Sequence, residues 1–398
     1  MMAGTFSLIK RVYSAVNPPE VPLSTSSKPI KFGILGAANI APIALISPAK
    51  SHAEVVVYAV AARSVDKAKA FAEKHKIEKY YGGSNSYQEL LDDPEVEAVY
   101  NPLPNGLHYE WTVKALQAGK HVLLEKPSCD TAAETRHLFE LAEQKGLVLL
   151  EAFHYRFHPV VLRAKQIVDS GELGKLQSVH ASLAVPRGIF KKDNIRFDFK
   201  LGGGALMDMG CYVTSATRYF VSGNPVSVTD VHCKTVPTYP DVDIGTTASL
   251  AFPNDVSGSI ECNLAMDPIM GFIPRWPKFV ASAKGEQGEM KLYQFVLPTF
   301  YHSIEVTLKD EKGKVKKRTE TVYSPKDLKG YENMKGEDWW TTYRYQLEAF
   351  VDKLRGRTPV TWVSKEDSIA NLEAIEMLYN KAGLPVRPAS TFKLPEPL

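Results

Sequence analysis

Cysteine is scarce in this chain and poorly placed for either of its structural uses. Among 398 residues there are four, Cys129, Cys211, Cys233 and Cys262, far apart and without a C-x-x-C pair. That spacing argues against a zinc site and against a disulfide framework, and it suits a reducing, cytoplasmic setting. Long apolar runs are missing too: nothing approaches the roughly 18 consecutive apolar residues of a membrane span. Excess charge is also lacking, since 48 Lys and Arg against 45 Asp and Glu leave a net charge of +3. No Lys/Arg block carries interleaved aromatics, so neither a nucleic-acid nor a membrane partner is expected, and the run from Lys312 to Arg318 reads as a solvated hairpin. What is present is an apolar content of 44%, ordinary for a globular chain. The length exceeds what one simple core covers, which points to two domains.

The first 29 residues contain Lys10 and Arg11, no acid before Glu20, several hydroxyl residues and no sustained apolar stretch. They read as an arm, helical to about Val16 and then Pro-rich and extended, with a transit peptide as the alternative.

From Ile30 the pattern changes. KFGILGAANIA is a short apolar strand, a glycine, and small residues leading into a helix. It places G-x-G-x-x-G at Gly36, Ala38 and Ala41 and keeps only the first glycine. The backbone of Ala37, Ala38, Asn39 and Ile40 would face a pyrophosphate at the helix start, where N–H groups lack intrahelical partners. The next strand, Glu54 to Ser64, ends in Arg63 and Ser64, where an NAD-binding unit usually places an acid for the ribose 2′-hydroxyl. An acid would repel a 2′-phosphate. Arg63 offers that group a planar fork of donors, with Ser64 and Lys67 beside it, so the pattern reads as NADP(H) in preference to NAD(H).

Further strands and helices alternate. One strand ends in the loop Pro102 to Asn105, where doubly wound sheets bind ligands, so Pro102, Leu103 and Asn105 would border the cofactor, and His108, opening the following helix, would touch the cofactor or cap and pack; another, HVLLEKP, ends in Glu125, Lys126 and Pro127, the last fixing a turn that a cis bond would suit. LVLLEAFHYRF reads as one more buried strand. The stretch Gly202 to Tyr212, GGGALMDMGCY, pairs three glycines with a helix start that stacks Asp208 and Tyr212 at i and i+4. A carboxylate would then lie beside a phenol, and a nearby cation, Lys126, would draw the phenol from its usual pKa of about 10 toward working pH. Alternating strands follow to Tyr323, then two helices, the last capped by Ser364 and stopped by Gly383.

Taken together, GILGAANIA, AARS, YNPLPN, LHYEW, GKHVLLEKP, EAFHYRFHP and GGGALMDMGCY resemble the glucose-fructose oxidoreductase, inositol dehydrogenase and MocA family over about Lys31 to Pro388. The tyrosine at 212 and EAFHYRFHP look more like the dimeric dihydrodiol dehydrogenases and NADP-linked D-xylose 1-dehydrogenases than like inositol dehydrogenases, which carry histidine there. The resemblance implies an α/β chain with an N-terminal Rossmann doubly wound parallel sheet (30–155). A C-terminal α/β domain with a large, open, mostly antiparallel sheet would follow (156–388), flanked by the arm (1–29) and a tail (389–398). It implies hydride transfer between NADP(H) and a sugar, polyol or diol carbon without a metal. Lys126, Asp208 and Tyr212 would be catalytic, with Tyr212 as acid/base; Glu125 and Lys126 would border the cofactor, and His154 and Arg156 would join the catalytic set around substrate. For Arg156 a structural ion pair between domains is the other reading. His154 departs from the apolar residue common there, and Asn194 to Phe199 would form a loop over the site. Pairing into a homo-oligomer through the second sheet is implied as well. Two alternatives stand beside this reading: a sugar–sugar oxidoreductase that retains NADP(H), and a non-catalytic NADP(H) sensor.

Overall fold

The computed structural model describes residues 2–191, 193–309 and 312–393. Six strands, β1 (Ile30–Leu35), β2 (Val55–Ala62), β3 (Lys79–Gly82), β4 (Ala98–Asn101), β5 (His121–Leu124) and β6 (Leu149–Glu151), form one sheet in the order β3-β2-β1-β4-β5-β6. Every pairing in it is parallel. Helices cover both faces, which is why β2 reads as a continuous apolar run instead of an alternating one. The order reverses direction between β1 and β4. The turn after β1 and the loop after β4 therefore flank one crevice at the carboxyl ends of the strands.

The second sheet has eight strands: β7 (Leu176–Pro186), β8 (Ser227–Lys234), β9 (Gly245–Ala251), β10 (Ser257–Met266), β11 (Lys278–Gly285), β12 (Gly288–Tyr293), β13 (Ser303–Lys309) and β14 (Val315–Glu320). Its order is β14-β13-β12-β11-β7-β10-β9-β8. Only β7 and β10 run parallel; the remaining neighbours are antiparallel. Strand β10 alternates exposed or half-buried residues with buried ones, the mark of a sheet with one covered face. The cover comes from helices Pro159–Asp169, Cys211–Val221 and Lys365–Ala382.

The fold divides between two sheets, and the helices do not all respect that division. Thr342–Leu354, late in the chain, packs on the first sheet's side: the Phe350 and Phe32 rings lie 5.9 Å apart, and Arg357 Nη2 is 2.7 Å from Glu54 Oε2. The arm is helical over Met2–Val16. Its Arg11 guanidinium lies 3.4 Å from the Tyr323 ring centroid, and the extended part beyond bonds to Lys50 and Ala53.

Two local expectations are corrected. The strand read over 147–157 stops at Glu151, because His154–Phe157 form a 3₁₀ turn and His158 caps the next helix, accepting from Val160 N–H, with Pro159 at its first position. The helix after the glycines opens with a wider π turn, Leu206–Gly210, before becoming α-helical at Cys211. Asp208 and Tyr212 are thus separated by a π-to-α junction, a feature common at functional sites.

Candidate active site

The crevice is built first by backbone. Gly36 has φ +95°, a conformation that favours glycine, and a Cβ placed there would lie 3.2 Å from Leu103 Cδ2. The turn after β1 and the loop after β4 therefore touch. Among the described residues, the N–H groups of Ala37, Ala38, Asn39 and Ile40 enter no protein hydrogen bond, while Ala41 N–H bonds Ala38 O at 3.1 Å. Donors free at a helix start suit a phosphate. Arg63 is exposed at the end of β2, and the Ser64 hydroxyl caps the next helix by accepting from Lys67 N–H at 3.3 Å. Tyr87 stands between: its hydroxyl is 3.9 Å from the Gly36 Cβ position, and while burial pushes its pKa up, the Arg63 guanidinium nearby opposes the rise.

His108 does not face the crevice. Its ring is buried, Nδ1 2.8 Å from Pro127 O and Nε2 2.7 Å from Leu103 O, so it ties the cofactor-side loop to the Lys126 turn. Asn105 likewise reaches the other domain, donating to Gly202 O at 3.0 Å. The three glycines do allow close approach, but to protein: a Cβ at Gly202 would sit 2.1 Å from Asp130 Oδ1, and one at Gly204 would sit 2.5 Å from Arg387 Nη2.

Around the Lys126–Pro127 cis bond the chemistry-bearing side chains converge. Lys126 Nζ donates to Asp208 Oδ1 at 2.9 Å and to Asp208 O at 2.8 Å. Arg196 Nε donates to Asp208 Oδ2 at 2.6 Å. Burial alone would raise the Asp208 pKa, but the two cations overcome it and hold the carboxyl well below the usual range. Lys126 is shifted upward: burial disfavours its charge and Asp208 more than compensates. Glu125 is buried, accepts from Tyr100 OH at 2.6 Å, and is shifted upward by burial.

Tyr212 behaves otherwise than expected. Its hydroxyl meets His154 Nε2 at 2.9 Å, and Lys126 Nζ lies over its ring, 4.8 Å from the centroid, with its charge directed to Asp208. Burial, followed by Tyr343 and Glu125, pushes the phenol well above its usual pKa. The expected lowering by Lys126 is not met: Lys126 bonds the carboxylate and lies over the phenol ring. His154 is corrected as a substrate contact: it is 1% exposed behind Tyr212, and its Nδ1 is 2.8 Å from Thr342 Oγ1. Arg156 takes the second of its two readings, a structural ion pair. Its Nη1 pairs with Asp367 Oδ2 at 2.7 Å, Arg218 holds the other oxygen at 2.8 Å, and Tyr219 stacks on the guanidinium at 3.8 Å, so it ties the central segment to the last helix.

Sequence reading did not assign Tyr87, Arg196, Thr342 or Tyr343. Arg196 lay within a recognised loop, but a loop arginine has many possible partners. Thr342 and Tyr343 open a helix well over 100 residues after Tyr212 and carry no local signal. Among the described residues no cluster of His, Cys, Asp or Glu is arranged to hold a metal ion, and no helix is long and apolar enough to cross a membrane.

A doubly wound sheet with a phosphate-type turn, joined to an open sheet whose covering helix brings an acid and a phenol to a lysine, defines a dinucleotide-dependent oxidoreductase architecture. Comparison places it further. Residues 30–153 match the model of the oxidoreductase family with NAD-binding Rossmann fold, and 161–272 match the GFO/IDH/MocA C-terminal domain. The chain is 35% identical over 354 residues to D-xylose 1-dehydrogenase (NADP(+)) 2 of Haloferax volcanii, covering 88% of this chain and 97% of that protein. It is also 35% identical over 209 residues to trans-1,2-dihydrobenzene-1,2-diol dehydrogenase of Xenopus tropicalis, covering 50% of this chain and 59% of that one. A crystal structure of a 3-ketoreductase from Actinomadura kijaniata in complex with NADP and TDP-benzene superposes with TM-score 0.72 at 25% identity, covering 89% of this chain and 98% of that one. The chain belongs to the GFO/IDH/MocA oxidoreductase family.

Proposed function

We propose that the protein is an NADP(H)-dependent dehydrogenase acting on a sugar, polyol or diol CH–OH carbon. The observation that carries this reading is the Lys126–Asp208–Tyr212 set just beyond the end of β5, supported by the NADP-linked xylose dehydrogenase and dihydrodiol dehydrogenase relatives. The free amides of 37–40 would hold the pyrophosphate, Arg63 with Ser64 and Lys67 the 2′-phosphate, and Pro102 and Leu103 a wall of the site. Bound there, the dinucleotide supplies a hydride acceptor or donor. The chain supplies the rest. Lys126, neutralised by Asp208 and fixed by two hydrogen bonds, sets the position of the substrate oxygen, and Tyr212 exchanges its proton. Arg196 fixes Asp208 from the loop side.

Pairing through the second sheet belongs to the same proposal. The loop between β10 and β11 leaves Met270, Phe272 and Trp276 exposed at 80%, 75% and 89%, a cluster that a partner would cover. Four free cysteines favour a cytoplasmic placement.

The test is Tyr212→Phe, assayed with NADP⁺ on a panel of aldoses, polyols and trans-diols. Turnover on the best substrate is expected to fall by about 10²- to 10⁴-fold, with cofactor binding retained. Undiminished turnover would remove Tyr212 from the chemistry. Cofactor binding by the wild type without turnover on any panel member would favour a sensor.

A further inference from the structure

We infer that His154 is a proton relay behind Tyr212, so that the substrate's hydroxyl proton passes to the Tyr212 oxygen while the phenol proton passes to His154 Nε2. This rests on the proposed dehydrogenase reading.

Both nitrogens of the buried imidazole are engaged, Nε2 with Tyr212 OH at 2.9 Å and Nδ1 with Thr342 Oγ1 at 2.8 Å. A phenol is far more acidic than an aliphatic hydroxyl, so the phenol is the donor to the basic nitrogen and Nδ1–H donates to threonine. That assigns one tautomer, with the Nε2 lone pair aimed at Tyr212. The Tyr343 ring stacks on the imidazole at 4.0 Å and 30°, Phe153 and Tyr155 edge onto the Tyr212 ring, and the histidine is held in this one orientation.

The arrangement answers a difficulty in the site. A buried Tyr212, raised well above its ordinary pKa, is not a standing tyrosinate and has no lone base to offer until its own proton leaves. His154 is kept neutral, lowered to about 3 by burial and then by Lys126. The groups facing this pair are Lys126, Asp208 and Glu125, the Cys211 thiol, and the phenols of Tyr100, Tyr155 and Tyr343. As the carbon loses hydride its hydroxyl becomes strongly acidic, so even a weakly basic imidazole takes the proton. The balance is complete: two electrons and one hydrogen leave as the hydride taken by the oxidised nicotinamide. The remaining proton breaks from the substrate oxygen and bonds to Tyr212, whose own proton bonds to Nε2, leaving a neutral carbonyl and an imidazolium. Reduction runs the same bonds in reverse.

Four measurements test this. In the cofactor-free protein, ¹⁵N NMR of labelled histidine is expected to show His154 as the neutral Nδ1–H tautomer from pH 6 to 8; an Nε2–H tautomer overturns the relay. His154→Gln can still accept a hydrogen bond from Tyr212 but cannot take its proton. It is expected to lose about 10²-fold in kcat with KM and cofactor affinity near wild type, as is His154→Phe, whereas wild-type kcat in His154→Gln would reduce the histidine to a support. Thr342→Val, which leaves the Tyr212 contact in place, is expected to lower kcat about tenfold and change the tautomer ratio; an unchanged rate and spectrum would count against the relay. The wild-type rate is expected to stay flat between pH 6 and 9, and a steady rise toward pH 10 would restore tyrosinate as the base. Loss of activity in Tyr212→Phe together with a fully active His154→Gln sinks the relay alone; a fully active Tyr212→Phe sinks the underlying reading.

Discussion

Lys126 and Asp208 join the two domains at the point where the chemistry is proposed to occur. The lysine comes from the end of β5 and the aspartate from the π turn that starts the helix after the glycines; they meet at 2.9 Å. Asp208→Asn leaves Lys126 and Arg196 without their anion. The pair is partly buried, its side chains 12% and 15% exposed, so removing one partner costs less than the ~3–5 kcal/mol of a fully buried pair; thermal melts at pH 7 should still show a clear loss of stability, and kcat should drop by about 10²-fold. The sign with pH follows from the lowered carboxyl. Its stabilisation is complete above the ordinary aspartate value of about 3.9 and is lost as pH falls below that toward the folded value, so the gap between wild type and variant should narrow only in acid. A gap unchanged from pH 7 to pH 3 would mean the carboxylate charge is not what stabilises the pair.

Arg63 tests cofactor choice. Hydrogen bonds to a charged group contribute about 1.5–3 kcal/mol, so Arg63→Ala should weaken NADP⁺ binding about 10- to 100-fold and leave NAD⁺ nearly unaffected. Arg63→Asp should go further and favour NAD⁺. Fluorescence titration of both dinucleotides reads this out; parallel losses for the two would show that Arg63 does not recognise the 2′-phosphate.

Gly204 tests the glycine run. Its φ is +137°, and a Cβ there would meet Arg387 Nη2 and Asp243 Oδ1, both at 2.5 Å, within a fully buried ion pair. Gly204→Ala should cost about 3 kcal/mol or more, combining strain with disturbance of that pair. Gly188→Ala, with φ +96° and open space around it, should cost only the backbone strain of about 1–2 kcal/mol. Equal melting temperatures for the two variants would contradict the packing role.

Asp130 carries a pH signature of the opposite sign to Asp208. It is 4% exposed, both carboxyl oxygens lack a partner, and burial, then Glu134, push it up to about 8. Unfolded it titrates near 3.9, so between about pH 4 and 8 the unfolded chain holds fewer protons and stability falls as pH rises. Asp130→Asn should therefore melt higher than wild type at pH 8, with the difference shrinking toward pH 4. A difference independent of pH would show that the carboxyl does not titrate there.

Much of the fold was legible because its signals are local. The apolar strand before Gly36, the β-rich run into Arg63, the Lys126–Pro127 strand end and the caps at Ser64 and Ser364 each involve residues close in sequence. Parallel strands buried on both faces cannot avoid continuous apolar runs. The site was legible only as an inventory. Lys126, Asp208 and Tyr212 could be named, but whether the lysine's charge acted on the phenol or on the carboxylate depended on a few ångströms.

Chain order and strand periodicity suffice to bring Gly36, Arg63 and Lys126 to the carboxyl ends of one sheet, and the glycine run makes the helix bearing Asp208 and Tyr212 start where it does. Tertiary structure alone decided what those residues do to one another. It brought Arg196 onto Asp208, spent Lys126 on the same carboxylate, turned His154 to Tyr212 and Thr342, and paired Arg156 with Asp367. The reason is physical: burial and hydrogen bonding act through distance and desolvation, and residues separated by 82 positions, as Lys126 and Asp208 are, acquire a distance only when the chain is folded.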